Sequence, residues 1–165
     1  MKESARLIIA LTILLGIAIT FVIYLSLPLL TGKIVVLETF PVDPFDILRG
    51  QYITINYKIS SIPSVAGADV GNNVYVILEK SPDGVWRYIS ASLTAPSDAV
   101  FIKGRIISIN RDNMRVEYGI EQYFFERDAE IPTDNLTVEV KISSSGQARI
   151  SRLLHKGKSV EIKYN

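Results

Sequence analysis

The sequence predicts a mainly β protein: one N-terminal transmembrane helix followed by a single β-sandwich or small-barrel domain. Three observations predict it. Residues 7–30, LIIALTILLGIAITFVIYLSLPLL, carry no charged side chain. Beyond them, short runs of Val, Ile, Tyr and Thr alternate with polar residues at the two-residue period of a strand. Between those runs stand Ser81-Pro82-Asp83-Gly84, Asn110-Arg111-Asp112-Asn113 and Ser143-Ser144-Ser145-Gly146, compositions that turn a chain back on itself.

The apolar stretch comes first. As a helix, 24 residues rise about 36 Å, more than the roughly 30 Å of a bilayer's hydrocarbon core. A cleavable signal has a core of about 7 to 15 residues and a small-x-small exit. This stretch is longer and leaves through Pro28, Leu29, Leu30, Thr31, Gly32 and Lys33, so it reads as an uncleaved anchor. Lys2, Arg6 and the α-amino group flank one side and Lys33 the other. The positive-inside rule then places residues 1–6 in the cytoplasm and residues 31–165 outside the cell membrane. Within the span, Thr12, Gly16, Thr20 and Tyr24 recur every four residues. Small residues on one stripe let two helices approach, so Thr12, Gly16 and Thr20 are the candidate contact with a neighbouring membrane helix.

About 130 residues remain, enough for one domain with its own core. Setting Lys2, Arg6 and Glu3 aside from the 18 basic and 17 acidic residues leaves 16 of each. A domain of zero formal charge has no overall field to draw it onto nucleic acid. The absence of cysteine excludes a disulfide framework, thiol catalysis and thiolate metal sites.

Ile34 to Phe40 supplies the first strand. Tyr52 to Ile59 alternates cleanly, with Ile53, Ile55, Tyr57 and Ile59 on one face and Tyr52, Thr54, Asn56 and Lys58 on the other. Ile62 to Asn73, rich in Gly, Ser and Asn, reads as a mobile surface loop. Val74 to Lys80 and Val85 to Ser92 form a hairpin around Ser81-Pro82-Asp83-Gly84. Val100 to Ile109 and Met114 to Tyr118 form a second. Ile120 to Ile131 fits a helix by spacing and a strand by aromatic content, and stays open. Leu136 to Ile142, Ala148 to Leu154 and Val160 to Tyr164 complete roughly nine short strands.

The segment Pro41 to Gly50 is densest in local signals. Asp43 suits a helix N-cap, Pro44 the first helical position, Asp46 the acceptor of first-turn N–H groups, and Gly50 a left-handed terminus. Capping accounts for both aspartates. A metal or acid/base role for Asp-x-x-Asp has no histidine nearby to support it.

Pro41-Val42-Asp43-Pro44-Phe45, running into Arg49-Gly50-Gln51-Tyr52-Ile53-Thr54-Ile55-Asn56-Tyr57, resembles the signature of the GDYXXLXY family of membrane-anchored proteins. A second block, Tyr118-Gly119-Ile120-Glu121-Gln122-Tyr123-Phe124 with Glu126, is similar to that family's Tyr-Gly-Ile-Glu-x-Tyr-Phe followed by an acidic residue. The resemblance implies a single span, one extracytoplasmic domain and a place beside multi-pass membrane proteins; it implies no activity. It nominates Asp43, Arg49, Gly50, Gln51, Tyr52, Tyr57, Tyr118, Gly119, Glu121, Tyr123 and Glu126 as binding residues. Gln51 stands where the family has Asp, and Ile55 where it has Leu. Losing a carboxylate at residue 51 is easier to square with a structural role than with catalysis or metal binding, because Gln still accepts a hydrogen bond.

Tyr52 and Tyr57 are an odd number of residues apart, so a regular strand points them to opposite faces. Tyr57 joins the core face, and Tyr52 is left to meet a partner. The two blocks are expected to touch, with Arg49 reaching Glu121 or Glu126. His155 in its Lys/Gly turn is expected in solvent, and Trp86 in core packing. Asn135-Leu136-Thr137 is a glycosylation triplet.

The function expected from these residues is a membrane-anchored extracytoplasmic interaction module, an accessory subunit of a membrane complex. Its expected partner is a multi-pass membrane protein, with no cofactor, no metal and no enzymatic activity. A small-ligand sensor is the alternative. A membrane-anchored Ser-Lys peptidase is weaker, since the Ser-x-Met segment such enzymes place after the span is missing.

Overall fold

The computed structural model describes residues 2–41, 52–124 and 135–160. Helix α1 (Lys2–Thr31) is long and apolar enough to cross a membrane, and the domain covers none of the apolar stretch Ser4–Ser26. Only Gly32 separates α1 from strand β1 (Lys33–Glu38). The end of the helix rests against the neighbouring strands β9 (Leu136–Ile142) and β10 (Ala148–His155).

The other strands are β2 (Tyr52–Thr54), β3 (Ser61–Pro63), β4 (Asn73–Lys80), β5 (Trp86–Ser92), β6 (Phe101–Ile109), β7 (Asn113–Glu117), β8 (Gln122–Phe124) and β11 (Lys158–Ser159). Nine of them form one sheet in the order β11-β10-β9-β1-β5-β4-β6-β7-β3, and β2 pairs β8 in a second, two-stranded sheet. The protein is mainly β behind one N-terminal apolar helix. Every pairing in the large sheet is antiparallel except β1 with β5, which joins the two halves of the sheet at Leu37 and Trp86.

Three register shifts bend this sheet, at Ile77/Leu78, Ile106/Ser108 and Ile150/Arg152. Each adds an unpaired residue on one strand and increases local twist. The sheet therefore curls until the turn after β9 reaches β6, where Lys103 N donates to Gly146 O at 2.9 Å. Gly146 sits so close there that a Cβ would run into the Phe101 ring.

The inward-facing rows form one core. Val35, Leu37, Val74, Val76, Ile102, Ile106, Met114, Val116, Val138 and Val140 are buried in it, and Ile53 of the small sheet and Ile55 just beyond it close the core. Most alternate with an exposed or half-buried neighbour, the signature of a sheet with one face inside; Glu139 between Val138 and Val140, and Phe101 before Ile102, are buried as well.

Several expectations need correction. Ile53, Ile55, Tyr57 and Ile59 are all buried, as their alternation indicates, yet Tyr52 to Ile59 is not one strand. The ladder holds only over Tyr52–Thr54. Tyr57 makes a single bridge to Thr39, and Lys58–Ser60 turns as a 3-10 helix. Ile62 does not open a surface loop. It is buried in β3 opposite Met114, and Val65 and Ala68 pack on the core behind it. Within the open segment, Gln122–Phe124 is a strand, while residues 125–131 lie outside the described ones. The last strand starts earlier than expected, at Lys158, and residues 161–165 lie outside the description.

Candidate functional site

The two motif blocks meet. Strand β2 pairs β8 with Tyr52 opposite Phe124, Ile53 opposite Tyr123 and Thr54 opposite Gln122. One residue further on, Ile55 N donates to Glu121 O at 2.7 Å. Two buried phenols then cross the seam in opposite directions. Tyr57 Oη donates to Ile120 O at 2.7 Å, and Tyr118 Oη donates to Ile59 O at 2.6 Å.

Local sequence explains why the second block presents these acceptors. Gly119 has φ +77°, a left-handed conformation that a side chain strains against, and it turns the chain out of β7. Glu121 reaches back across that turn, and its Oε1 accepts from Tyr118 N at 2.6 Å. The Tyr118 ring lies over Gly104 of β6, where a Cβ would collide with it and with Val116. Burial raises both tyrosines well above the ordinary phenol range, and the nearby Glu121 adds to that. Both therefore stay protonated donors at neutral pH.

Tyr57, Tyr118, Gly119, Glu121 and Tyr123 are thus brought together, Tyr123 packing half-buried on the core. Their geometry is that of a seam within the fold: the tyrosine hydroxyls and the Glu121 carboxylate bond backbone groups. Asp43, Arg49, Gly50, Gln51 and Glu126 lie outside the described residues, as does the proposed pairing of Arg49. Tyr52 is placed by its backbone alone, in β2.

Beside the seam, Glu38 of β1 joins Lys58 Nζ at 3.0 Å and Arg87 Nη2 at 2.9 Å, and Arg87 also meets Asp83 at 2.6 Å. Partial burial pushes the Glu38 carboxyl up. Hydrogen bonds and charge from Lys58 and Arg87 outweigh it and hold the group below its usual range. On the outer face of β9, Arg152 Nε covers the buried Glu139 at 2.9 Å. Among the described residues no cluster of three or more His, Asp or Glu side chains has the arrangement of a metal site.

A cleft of about 490 Å³ opens where Phe40 and Asn56, joined by Phe40 N donating to Asn56 O at 2.8 Å, face the β6–β7 hairpin. Tyr57 and Met114, both buried, form its base. Three asparagines line it, Asn56, Asn110 and Asn113, together with Ser60, Ser61 and Ser108. Arg115 and the half-exposed ring of Phe40 complete it. The register shift at Ile106/Ser108 seats Ser108 opposite Arg115 at the wall. Sequence reading passed over this site, because Asn110 and Asn113 are also what a hairpin turn requires. Asn110 N does donate to Asn113 O at 2.7 Å.

The remaining candidates fall as follows. His155 is half-buried at the end of β10, opposite Leu136 and Lys158, rather than in solvent, because the chain pairs there on both sides. Trp86 packs on the core with Lys33 Nζ 5.2 Å from its ring centre. Asn135 is exposed. In α1, Thr12 Oγ1 donates to Ile8 O at 2.9 Å and Thr20 Oγ1 to Gly16 O at 2.8 Å, so both hydroxyl protons are used within the helix itself.

The family model described as GDYXXLXY protein matches residues 14–153. No curated protein and no solved structure matches the chain.

Proposed function

The chain belongs to the GDYXXLXY family, and on that premise we propose that it is a membrane-anchored, extracytoplasmic interaction module, an accessory subunit of a membrane protein complex. The observation that carries this reading is the junction of α1 and β1. One residue, Gly32, separates a helix of membrane-spanning length from an interior strand of the large sheet. The helix end also rests on β9 and β10. A partner that grips the span thereby holds the sheet at a fixed position, as a subunit requires and a freely tethered domain does not.

Non-catalytic use of the motif blocks is supported by where three of their described polar groups point. The Tyr57 and Tyr118 hydroxyls and the Glu121 carboxylate are engaged with backbone groups, which leaves them poorly placed to act on a substrate. The orientation rests on Lys2 and Arg6 ahead of the apolar stretch.

Extraction in a gentle detergent tests the reading. A multi-pass membrane protein should elute with the chain in fixed proportion, and a chain that elutes alone in every mild detergent argues against a subunit role. Protease added to intact cells or spheroplasts should digest the β domain. Protection until lysis would reverse the orientation.

A further inference from the structure

We propose that the cleft between Phe40 and the β6–β7 hairpin is a saccharide-binding site, with Arg115 placed to take the carboxylate of an acidic sugar. The proposal stands on the cleft itself and requires neither the orientation of the span nor a protein partner.

Chemistry selects the ligand. Asn56, Asn110 and Asn113 each offer a donor and an acceptor from one amide, which matches the dual character of a sugar hydroxyl. Phe40 keeps half its surface exposed at the rim, where an aromatic ring costs hydration and can cover the C–H face of a pyranose. Arg115 is exposed, and no carboxylate lines the cleft among the described residues. An acidic sugar therefore meets a cation with no carboxylate beside it among the described lining residues. At about 490 Å³ the cleft falls in the range of small-ligand sites.

A peptide fits less well. The neighbouring sheet edge, β3, is three residues long and ends in Pro63, which has no N–H to donate to an added strand. The base offers no deep apolar hole for an anchoring side chain, since Tyr57 and Met114 fill it.

The test uses the full chain in a detergent without a sugar headgroup, titrated with trigalacturonate and with maltotriose as probes. Both should bind saturably, the acidic trimer about tenfold more tightly through its charge-assisted hydrogen bond. Arg115→Gln should remove that preference, Arg115→Lys should keep most of it, and Lys156→Gln in the β10–β11 turn, which does not line the cleft, should leave it unchanged. Phe40→Ala should weaken both trimers about fivefold through lost stacking. The proposal is overturned if neither trimer saturates, or if the acidic preference survives Arg115→Gln. Saturation of the cleft by an uncharged Gly-Ser hexapeptide, with no binding of either sugar, would also overturn it and assign the site to a peptide.

Discussion

Tyr57 and Tyr118 each donate a phenolic hydrogen bond to the carbonyl two residues beyond the other: Tyr57 Oη to Ile120 O at 2.7 Å, Tyr118 Oη to Ile59 O at 2.6 Å. Each ring thereby ties down the chain that carries its counterpart, across 59 to 63 residues of sequence. The two motif blocks are in this sense one structural unit. The tyrosines fill the core, and the exchange of bonds satisfies carbonyls that the irregular backbone near them leaves out of any ladder.

Removing either hydroxyl should therefore be costly out of proportion to its size. Tyr57→Phe and Tyr118→Phe each leave a buried carbonyl without its donor, a loss of about 1–3 kcal/mol. The double variant should cost less than the sum, because both bonds close the same seam and the first loss loosens the second. Urea unfolding of the full chain in micelles measures all three. Two neutral single variants would show that ring packing alone holds the blocks together.

The same burial sets a response to alkali. In the unfolded chain these phenols titrate near 10.0, and in the folded protein burial holds both above that value. Stability is thus complete below pH 10 and declines as the pH rises from there toward the folded values, because the unfolded state alone gives up the protons. Each tyrosine should contribute a slope of about 1.4 kcal/mol per pH unit in that window. Unfolding followed at stepwise alkaline pH should give roughly twice that slope for the native chain and about half of it restored to flatness in Tyr118→Phe. An unchanged slope in that variant would mean that Tyr118 is not held protonated.

Much of this was legible in the sequence, and the reasons are local. Period-two alternation marked Ile53, Ile55, Tyr57 and Ile59 as inward-facing, because burial follows the backbone's direction even where no ladder forms. The turn compositions placed the hairpins, and Gly84 N does donate to Ser81 O at 2.9 Å. What the sequence hid was non-local. Ile62 becomes a strand residue only because Met114 arrives opposite it, and the parallel contact of β1 with β5 leaves no mark on either segment. The cleft was hidden differently. Its asparagines serve a turn as well as a site, and nothing along the chain announces that Phe40 and Asn56 will face them.

Two glycines separate crowding from conformation. At Gly104 a methyl group would run into Val116 and the Tyr118 ring, so Gly104→Ala must displace the tyrosine that carries the seam. Overpacking of that kind costs about 1–3 kcal/mol, and here it should also shift the Tyr118 ring signals. At Gly119 the space is open and only φ, +77°, resists a side chain. Gly119→Ala should therefore cost about 1 kcal/mol, with the ring signals unmoved. Equal losses with equal spectral changes would mean that the turn at Gly119 and the seat at Gly104 are a single packed unit.

The span offers the sharpest test of a partner. Thr12, Gly16 and Thr20 lie on one stripe of α1, and nothing in the domain approaches Gly16. Thr20 gives its proton to Gly16 O and Thr12 to Ile8 O, so these hydroxyls can accept but not donate across a helix contact without first breaking a bond within the helix. Close approach at Gly16 must then supply most of any attraction, and hydroxyl contacts little, on the order of 0.6 kcal/mol each. Gly16→Ile should release a bound membrane protein on extraction while leaving insertion intact, whereas Thr20→Val should retain it. Retention in both variants would reduce the helix to an anchor and move the search for a partner to the β domain. Release by Thr20→Val alone would mean that the hydroxyl, not the glycine, makes the contact.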